Sequence, residues 1–590
     1  MSQVRDMSKA EFANSAVATV DINDFKAFVT DQEWTEVLEP FLSLEAWERS
    51  VLKEDWREHA RQSRTDCRPP KFTIEQQRSL FVKGYVKRTR HGKFYARIFA
   101  VWKSDGITLR LIWNGKGFNA ACRPPPKFTI TPLPEMLQKL LQPGVEAYLA
   151  FDATTWFVQF DVPDEISQFF ATVLWDGREV VLRGVPMGAA WACALAQTMT
   201  IGLARAICEE LTRRGIEVPL AVEVCIDNTI FGVRRAEDVG KIKEVVKETA
   251  ARLKVVLKES AFEEGTSVDW LAYRLDAKAK VAIFKDSFKE KSRAAAVVAD
   301  QCLTGKQQAV VHDVWCVGGL AMFACYASRT SMRVLKPVVE WLSSSSPRTL
   351  AEWRREVPSA GAPWGLLRDF LQGMAGLSVA PPPVPTMTVK AWFVTDASTS
   401  GSNAIVWVVD RKLGINVYEC KEQRIEAREL QAHVKASLLV AGQVSDGYVV
   451  GFGDNVVALV ARRKGYSMWA REELAKAVEQ TREIYDKRKL TLIAPYVPTA
   501  ACIADVWTRV QGLQIQKEWQ CEGVHPHVAG VLCEEMKKKL LEWSAEGIGG
   551  SEKLEEWSKG ESEWVPAGPS DLLRQGALAA ARPQTDARRT

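Results

Sequence analysis

The feature that most constrains this chain is a pair of carboxylates that lie far apart in the sequence, each beside a run of strand-forming residues. Asp152 ends the apolar run 147–151, and Asp227 lies between two β-rich halves, residues 222–226 and 229–233. A carboxylate at a strand end and another at a hairpin tip can meet across neighbouring strands. Such oxygens could hold two Mg²⁺ ions about 4 Å apart, which would activate a hydroxyl group and stabilise departing pyrophosphate in nucleotidyl transfer. The alternative is that both acids only terminate strands.

Three segments around these acids, FDATTWFVQF, RGVPMGAAWACALAQ and EVCIDNTIFGV, follow one another along the chain. They resemble the palm motifs of reverse transcriptases, and three ordered motifs are more specific than one. The resemblance implies that Asp152 and Asp227 bind metal, and that Gly188 and Gln197 belong to a primer and template grip. Glycine lets a backbone approach nucleic acid closely. Asn228 departs from the motif because a second aspartate is usual there, which implies a weakened or retuned ion site.

The same resemblance assigns further residues to nucleotide binding. The segment RLIWNGKGFN is similar to a fingers motif whose leading arginine lies over the incoming triphosphate, which implies that role for Arg110, with Lys103 as a second candidate. A planar guanidinium matches phosphate oxygens well. Phe157 stands where an aromatic ring closes the space that a ribose 2′-hydroxyl needs, which implies a deoxynucleotide substrate; it could equally be a core residue. In the segment LKVVLKES, Lys258 is preferred over Lys254 as the lysine that protonates pyrophosphate.

A second group of carboxylates follows the proline-rich segment APPPVP, where strands and helices alternate. Asp396 and Asp454 end apolar strand-like runs, Glu429 lies on a predicted helix, and Asp505 lies near a predicted helix start. Four such acids could hold two further Mg²⁺ ions for attack of water on a phosphodiester. Their contexts, TDAS, REL, GDN and AD-x-x-x-R, are similar in order to retroelement ribonuclease H. The alternative is scattered surface acids, which are expected in a chain with 73 acidic residues.

Length and element pattern predict the domain organisation. At 590 residues and 47% hydrophobic residues, the chain is long enough for three or four domains. The expected fold class is α+β, with a right-hand polymerase of fingers, palm and thumb followed by a ribonuclease H-like α/β domain. The predicted segments are an N-terminal helical extension at residues 1–80, fingers and palm at 81–285, thumb and connection at 286–380, a linker at 381–385, the ribonuclease H-like domain at 386–515, and a C-terminal helix with a flexible tail at 516–590.

Charge, cysteine usage and hydropathy bear on the compartment. The net charge of +5 does not decide for or against nucleic acid, because a local basic groove matters more than the total. The 12 cysteines include no C-x-x-C pair, which argues against a zinc knuckle and for a reducing compartment. The longest nearly uncharged apolar run, residues 314–327, is too short to cross a bilayer. We expect an intracellular protein of the cytoplasm or nucleus, without a membrane partner.

The resemblance covers about residues 83–512 and points to DIRS-like retroelements, the tyrosine-recombinase group, and within it to VIPER-type elements. The segments YVPTAACIADVWTR and VVHDVWCVGGLAMF favour that group. It implies an RNA- and DNA-directed DNA polymerase with ribonuclease H activity, which uses Mg²⁺ or Mn²⁺ with two ions per site. Expected partners are an RNA template, a DNA primer, an RNA/DNA hybrid and dNTPs, together with an element-encoded coat protein and recombinase.

Two other interpretations stay open because of Asn228. In the first, the polymerase half is defective and only delivers hybrid to an active nuclease. In the second, the whole chain is a nucleic-acid-binding relic without enzymatic activity.

Overall fold

A computed structural model gives the structure of this chain in several ranges. The described residues are 7–14, 20–89, 91–103, 107–128, 130–374, 378–379, 385, 389–397, 402–408, 414–418 and 424–494. Two compact units divide the chain, one made of Met1–Pro132 with Lys139–Ala282 and the other of Leu133–Gln138 with Ile283–Thr590. The predicted domain boundaries stay predictions.

Helices and strands alternate irregularly through the described ranges. The α-helices of six residues or more there are α1 Leu44–Ser50, α2 Trp56–Asp66, α3 Ile74–Val82, α4 Lys116–Ala121, α5 Leu133–Leu140, α6 Ala192–Arg213, α7 Val239–Arg252, α8 Asp286–Leu303, α9 Val311–Ala327, α10 Lys336–Ser344, α11 Trp364–Met374, α12 Ile425–Ala441, α13 Val456–Lys464 and α14 Glu472–Lys487. The strands of three residues or more there are β1 Val86–Arg88, β2 Ile98–Trp102, β3 Leu109–Trp113, β4 Ala147–Asp152, β5 Ala171–Val173, β6 Glu179–Leu182, β7 Ala221–Cys225, β8 Asn228–Val233, β9 Glu263–Gly265, β10 Ser267–Trp270, β11 Tyr273–Asp276, β12 Val281–Phe284, β13 Val389–Ala397, β14 Ser402–Val408, β15 Gly414–Tyr418, β16 Gly447–Phe452 and β17 Leu490–Ile493.

An antiparallel sheet in the order β9-β4-β8-β7 organises the first unit. Strand β4 is buried along residues 147–151, as its uninterrupted apolar sequence predicts for a central strand. Helix α6 contacts β7 and β8, and α7 contacts β4, so the sheet shares one core with these helices. The apolar residues of α7 recur with helical spacing, and Ile242, Val245 and Val246 are buried on that face.

The N-terminal helices belong to the same core rather than to a separate one. Trp47 of α1 is fully buried. Its ring lies 5.1 Å from Phe41 and 5.9 Å from Phe170, between ring centroids. It also stacks with Phe118 of α4 at 6.3 Å. Large rings that meet edge to face or stacked contribute both buried area and specific geometry, so this cluster fixes α1 against α4 and against the residues just before β5.

The second unit contains a helical part and a mixed sheet. Helices α8 to α11 bury a common core that includes Trp364, Leu367 and Leu371, and the helical prediction for residues 286–380 is in line with this. The sheet has the order β15-β14-β13-β16-β17. Strands β13, β14 and β15 form an antiparallel meander, whereas β13, β16 and β17 run parallel. Helix α12 packs on β13 and β14 and connects to β16.

Antiparallel sheets with helices on them in one unit, and a mixed sheet with crossover helices in the other, confirm the predicted α+β fold class. Within the described ranges, none of the helices combines the length and the apolar character that a membrane span needs.

Candidate active sites

A tight hairpin places Asp227 beside the end of β4. The register pairs Asn228 with Cys225 across β7 and β8, which leaves Ile226 and Asp227 as the two turn residues. Ile226 has a φ of +59°, the left-handed conformation that such a two-residue turn demands. On its other side β8 pairs with β4 so that Asn228 faces Asp152. The hairpin therefore brings the two sequence-predicted carboxylates to the same edge of the sheet.

Gln197 on α6 holds this hairpin from behind. Its side-chain Oε1 accepts a hydrogen bond from the backbone N–H of Ile226 at 2.7 Å, and its Nε2 donates to the carbonyl of Val224 at 3.3 Å. The side chain is almost fully buried. A buried amide whose bonds go to the backbone next to Asp227 fixes the turn, because breaking either bond would leave a buried polar group without its partner. The predicted role of Gln197 in gripping primer and template stays a prediction.

Asp152 lies in surroundings that disfavour its charge. Burial, followed by the negative charge of Asp227, raises its pKa from 3.8 to about 7, against the opposing influence of Lys258, Lys103 and Arg110. Its Oδ1 is buried and has no hydrogen-bond partner among the described residues. A desolvated carboxylate oxygen without a donor, next to a second carboxylate, fits a divalent cation that would neutralise both charges.

Asp227 has a raised pKa for a similar reason. Burial is the largest cause, and it is partly offset by the residue's own backbone N–H, by the side-chain amide of Asn228, and by Arg110 and Lys103. The Asn228 Nδ2 donates to Oδ1 of Asp227 at 3.0 Å. The backbone carbonyl of Asp227 accepts from the N–H of Ala153 at 3.1 Å, which ties the turn to the residue after Asp152. Asn228 thus orients the neighbouring carboxylate through a hydrogen bond.

The basic residues predicted to bind a nucleotide gather near these acids. Arg110 is exposed on β3, and Lys103 closes the β2–β3 hairpin through a backbone bond to Thr108 at 2.9 Å. Lys258 is exposed, and its backbone N–H donates to the carbonyl of Asp152 at 2.9 Å. All three cations lower the pKa of Asp152, and Arg110 and Lys103 also lower that of Asp227, so their positive charges act on the carboxylates. Positive charge beside the acids is what binding of a triphosphate requires.

Phe157 and Gly188 both have local structural reasons for their residue types. Phe157 is half-buried and packs against the core, while its nucleotide-screening role stays a prediction. Gly188 has a φ of +119°, and a Cβ there would lie 2.0 Å from the carbonyl oxygen of Trp113. The sequence interpretation explained this glycine by close approach to nucleic acid. That role stays a prediction, and the structure adds a second reason, the close approach of residues 186–190 to residues 113–115 of the same chain.

Two supporting residues, Asn119 and Gln159, have no role predicted from the sequence, although Asn119 ends the segment RLIWNGKGFN. Asn119 donates from Nδ2 to the carbonyl of Gly188 at 2.9 Å and accepts the N–H of Ala190 at 2.8 Å. Gln159 is completely buried; it donates to the carbonyl of Val256 at 2.9 Å and accepts the N–H of Val256 at 2.8 Å. The one signal for Gln159 is a lone amide in the aromatic segment WFVQF. Both residues hold together segments that are distant in sequence.

Three of the four carboxylates of the second constellation converge. Asp396 near the end of β13, Glu429 on α12 and Asp454 just after β16 have ligand oxygens within 4.8 Å of one another. Asp396 and Glu429 are buried, and Asp454 is half-buried. The backbone N–H of Ala397 donates to Oε1 of Glu429 at 2.8 Å. Carboxylate oxygens this close together form a donor set that fits a hard divalent ion such as Mg²⁺. Asp505 lies outside the described residues.

Comparison with known proteins finds matches among solved structures, at low sequence identity. No family model matches the sequence, and no curated protein matches it. Among solved structures, the chain is similar to a foamy viral protease-reverse transcriptase in complex with an RNA/DNA hybrid, with 12% identity and a TM-score of 0.42 over 71% of this chain and 53% of that chain. The chain thus spans about half the length of that relative.

Two further solved structures belong to the same foamy viral protein. Its dRH form in complex with double-stranded DNA gives 13% identity and a TM-score of 0.42 over 82% of this chain and 83% of that chain. A complex with double-stranded DNA gives 14% identity and a TM-score of 0.40 over 71% of this chain and 82% of that chain.

Proposed function

We propose that this chain is an RNA- and DNA-directed DNA polymerase with ribonuclease H activity, which copies retroelement RNA into DNA. The observation that supports the proposal is that the predicted acids within the described residues lie in two separate clusters of carboxylates. Asp152 and Asp227 form one cluster in the first unit. Asp396, Glu429 and Asp454 form the other in the second unit. Each cluster is a donor set of hard oxygen ligands, which suits Mg²⁺, with Mn²⁺ as an alternative.

In the polymerase cluster, two Mg²⁺ ions would supply activation of the primer hydroxyl and neutralise the charge that develops on the triphosphate. Asp152 and Asp227 would hold them, because both carboxylates lie at one sheet edge and neither is neutralised by a salt bridge among the described residues. The triphosphate of the incoming dNTP would be bound by Arg110, Lys103 and Lys258, since their positive charges act on Asp152.

Phe157 would discriminate between deoxynucleotides and ribonucleotides. Its half-buried ring packs against a rigid core, so it could act as a fixed barrier to a ribose 2′-hydroxyl. Gly188 and Gln197 would serve the primer and template grip through the loop and the hairpin that they shape.

In the nuclease cluster, Asp396, Glu429 and Asp454, completed by Asp505, would hold the ions that assist attack of water on the RNA strand. The hydrogen bond from Ala397 orients Glu429 toward the end of β13. We expect the hybrid to be recognised through its backbone and shape, with little sequence readout and with an affinity that falls steeply with salt.

A polymerase-defective protein is the second candidate, and Asn228 is the observation that favours it. Its amide donates to Asp227 where the usual motif offers another carboxylate, so the ion site has fewer anionic ligands. A chain of this kind would keep only the activity on RNA/DNA hybrid. A relic that binds nucleic acid without catalysis is the third possibility.

Two assays with the full chain separate these functions. Primer extension with Mg²⁺ and with Mn²⁺ by the unaltered protein would support the proposal and reject both alternatives. A large gain in extension by Asn228→Asp, over an inactive parent, would indicate a defective polymerase. Cleavage of an RNA/DNA hybrid that Asp396→Asn abolishes, while binding is retained, would exclude the relic. Absence of both extension and cleavage in the parent, with binding intact, would sink the proposal.

We also propose a narrower origin and setting for the chain. The segments YVPTAACIADVWTR and VVHDVWCVGGLAMF support membership of the DIRS-like group, nearest to VIPER-type elements, with an element-encoded coat protein and recombinase as partners. The predicted boundaries at residues 80, 285, 380, 385 and 515, and a cytoplasmic or nuclear location, belong to the same proposal.

A further inference from the structure

A row of three polar side chains follows one face of α12. Glu429, His433 and Ser437 are spaced by four residues, so they lie one above another, and all three are buried. Glu429 accepts a hydrogen bond from Ala397 at the end of β13. Ser437 accepts one from Nη2 of Arg462 on α13 at 2.9 Å. The row therefore connects α12 to β13 at one end and to α13 at the other.

His433, in the middle of this row, lies on one of the three elements that carry the cluster and contacts the other two. It lies on α12 one turn beyond Glu429. Its Nε2 donates to the carbonyl of Gly451 in β16 at 3.1 Å. Its ring packs edge to face against Phe393 in β13, with centroids 4.7 Å apart. Phe393 and Gly451 are partners in the parallel register of β13 and β16. Asp396 follows Phe393 by three positions, and Asp454 follows Gly451 by three positions.

The room for this contact comes from Gly451. A Cβ at this position would lie 2.4 Å from Cζ of Phe393 and 2.9 Å from Cε1 of His433. Burial, assisted by the positive charge of Arg462, lowers the pKa of His433 to about 3. The bond to the Gly451 carbonyl requires the proton on Nε2, and Nδ1 has no hydrogen-bond partner among the described residues. The side chain is therefore a neutral hydrogen-bond donor.

We propose that His433 is a positioning residue that sets the distance of Glu429 from Asp396 and Asp454. The inference rests on the proposed nuclease function, because it concerns the same three carboxylates. A hydrogen bond from α12 to β16 and a ring contact from α12 to β13 together fix the helix against both strands. Loss of the donor frees α12 to shift along the sheet, and the carboxylate oxygens then no longer converge within one coordination sphere.

Binding of Mn²⁺ to the full chain tests this role without nucleic acid. The background carries Asp152→Asn and Asp227→Asn, so that the nuclease cluster is the candidate ion site under test. His433→Gln keeps an amide donor of similar reach, whereas His433→Met has nearly the same shape without a donor. Electron paramagnetic resonance of free Mn²⁺ gives the Kd. We expect the Kd of the Gln variant to stay within about threefold of the parent and the Kd of the Met variant to rise at least tenfold, measured at a temperature where both variants are fully folded.

The Kd values of the variants decide whether His433 positions Glu429. Equal Kd values for the Met and Gln variants would show that His433 only fills space and would overturn the proposal. If the Met variant does not fold, His433→Asn replaces it, since its shorter amide does not reach Gly451. Weakened binding in that variant supports the proposal, and parental binding overturns it.

Failure of the proposed function has a different signature. Suppose that the parent binds Mn²⁺, that Asp396→Asn abolishes this binding, and that the parent never cleaves hybrid. This outcome contradicts the nuclease activity, but the Kd values of the His433 variants still test the positioning role. A parent that binds no Mn²⁺ at this cluster overturns both.

Discussion

At the scale of single residues, the same dipeptide has two different uses in this chain. Asp-Asn occurs at residues 227–228 and again at residues 454–455. Asn228 donates to the carboxylate of Asp227. Asn455 instead accepts the N–H of Ala458 and caps α13, which begins one residue later. Asp227 therefore has a neighbouring asparagine that donates a hydrogen bond to it, whereas the asparagine next to Asp454 caps the start of a helix.

The raised pKa of Asp152 predicts how the protein's stability depends on pH. At pH values between 3.8 and about 7, the Asp152 carboxyl is more fully protonated in the folded state than in the unfolded state. Tighter proton binding therefore stabilises the folded state fully at a pH below 3.8, and this stabilisation is lost as the pH rises toward 7. In EDTA at pH 8 we expect Asp152→Asn to raise the unfolding free energy by about 1 to 3 kcal/mol, because it removes a desolvated charge. The gain should vanish near pH 4.

Thermal unfolding at both pH values measures this effect, and Glu210→Gln is the opposite control. Hydrogen bonds from Arg213 and Arg214 lower the pKa of Glu210 to about 2. Its charge is therefore favourable above the unfolded pKa, and the Gln variant should be no more stable than the parent at pH 8. A loss of stability in Asp152→Asn at pH 8 would contradict the desolvation argument.

At the scale of elements, close contact between two loops depends on one glycine. Residues 186–190 lie against residues 113–115, and the backbone of Trp113 leaves no space for a side chain at position 188. We expect Gly188→Ala to cost more than about 4 kcal/mol, because its Cβ would overlap the backbone of Trp113 in addition to the strain of a positive φ. Chemical denaturation measures the change.

Gly177 is a matched control for this substitution. It also has a positive φ, of +79°, but nothing lies within 4 Å of a Cβ built there. Gly177→Ala should therefore cost only about 1 to 2 kcal/mol, the strain of the left-handed conformation alone. Similar losses at the two glycines would mean that the contact of the loops adds nothing.

Helix α14 carries a second element-scale feature, a row of acids spaced by seven residues. Glu472 and Glu479 face Arg333, and Asp486 pairs with Arg329 at 3.0 Å; the arginines come from the segment between α9 and α10. Both arginines are mostly buried, with 16% of each side chain exposed. These pairs fasten α14 to the helical part of the second unit.

We expect Asp486→Asn to lower the unfolding free energy by roughly 1 kcal/mol at low salt and by less in 1 M salt, because screening weakens the lost pair. Denaturation of the full chain at both salt concentrations measures it. The control is Glu340→Gln, since the pair of Glu340 with Lys336 is exposed and 3.7 Å long. No difference between the two variants would reject a stabilising role for the α14 row.

At the scale of the whole molecule, the two carboxylate clusters belong to separate compact units. We therefore expect separable activities. Asp227→Asn should reduce primer extension more than about 100-fold, or about 3 kcal/mol in the barrier, and leave hybrid cleavage within about threefold of the parent. Asp396→Asn should do the reverse. Parallel loss of both activities in either variant would contradict independent sites.

The overall pattern of strands and helices was predictable because it rests on local sequence. The apolar run before Asp152 gave β4, the β-rich halves around Asp227 gave the hairpin, and the periodic residues after 236 gave α7. Glycine and glutamine at positions 188 and 197 were recognised as special residues from their motifs. Their actual contacts, with Trp113 and with the Asp227 hairpin, were not predictable, since both join segments far apart in the chain.

The sequence by itself determined the chemistry available to this protein: which acids occur, in what order, and at the ends of which strands and helices. Periodicity and turn composition are local properties, so they can be read without a fold. The tertiary structure alone decided which oxygens share a space, how far burial raises the pKa of Asp152, and that His433 joins the three elements of the second cluster. The desolvation and the convergence of these carboxylates depend on packing between distant segments, so they cannot be predicted from a local sequence pattern.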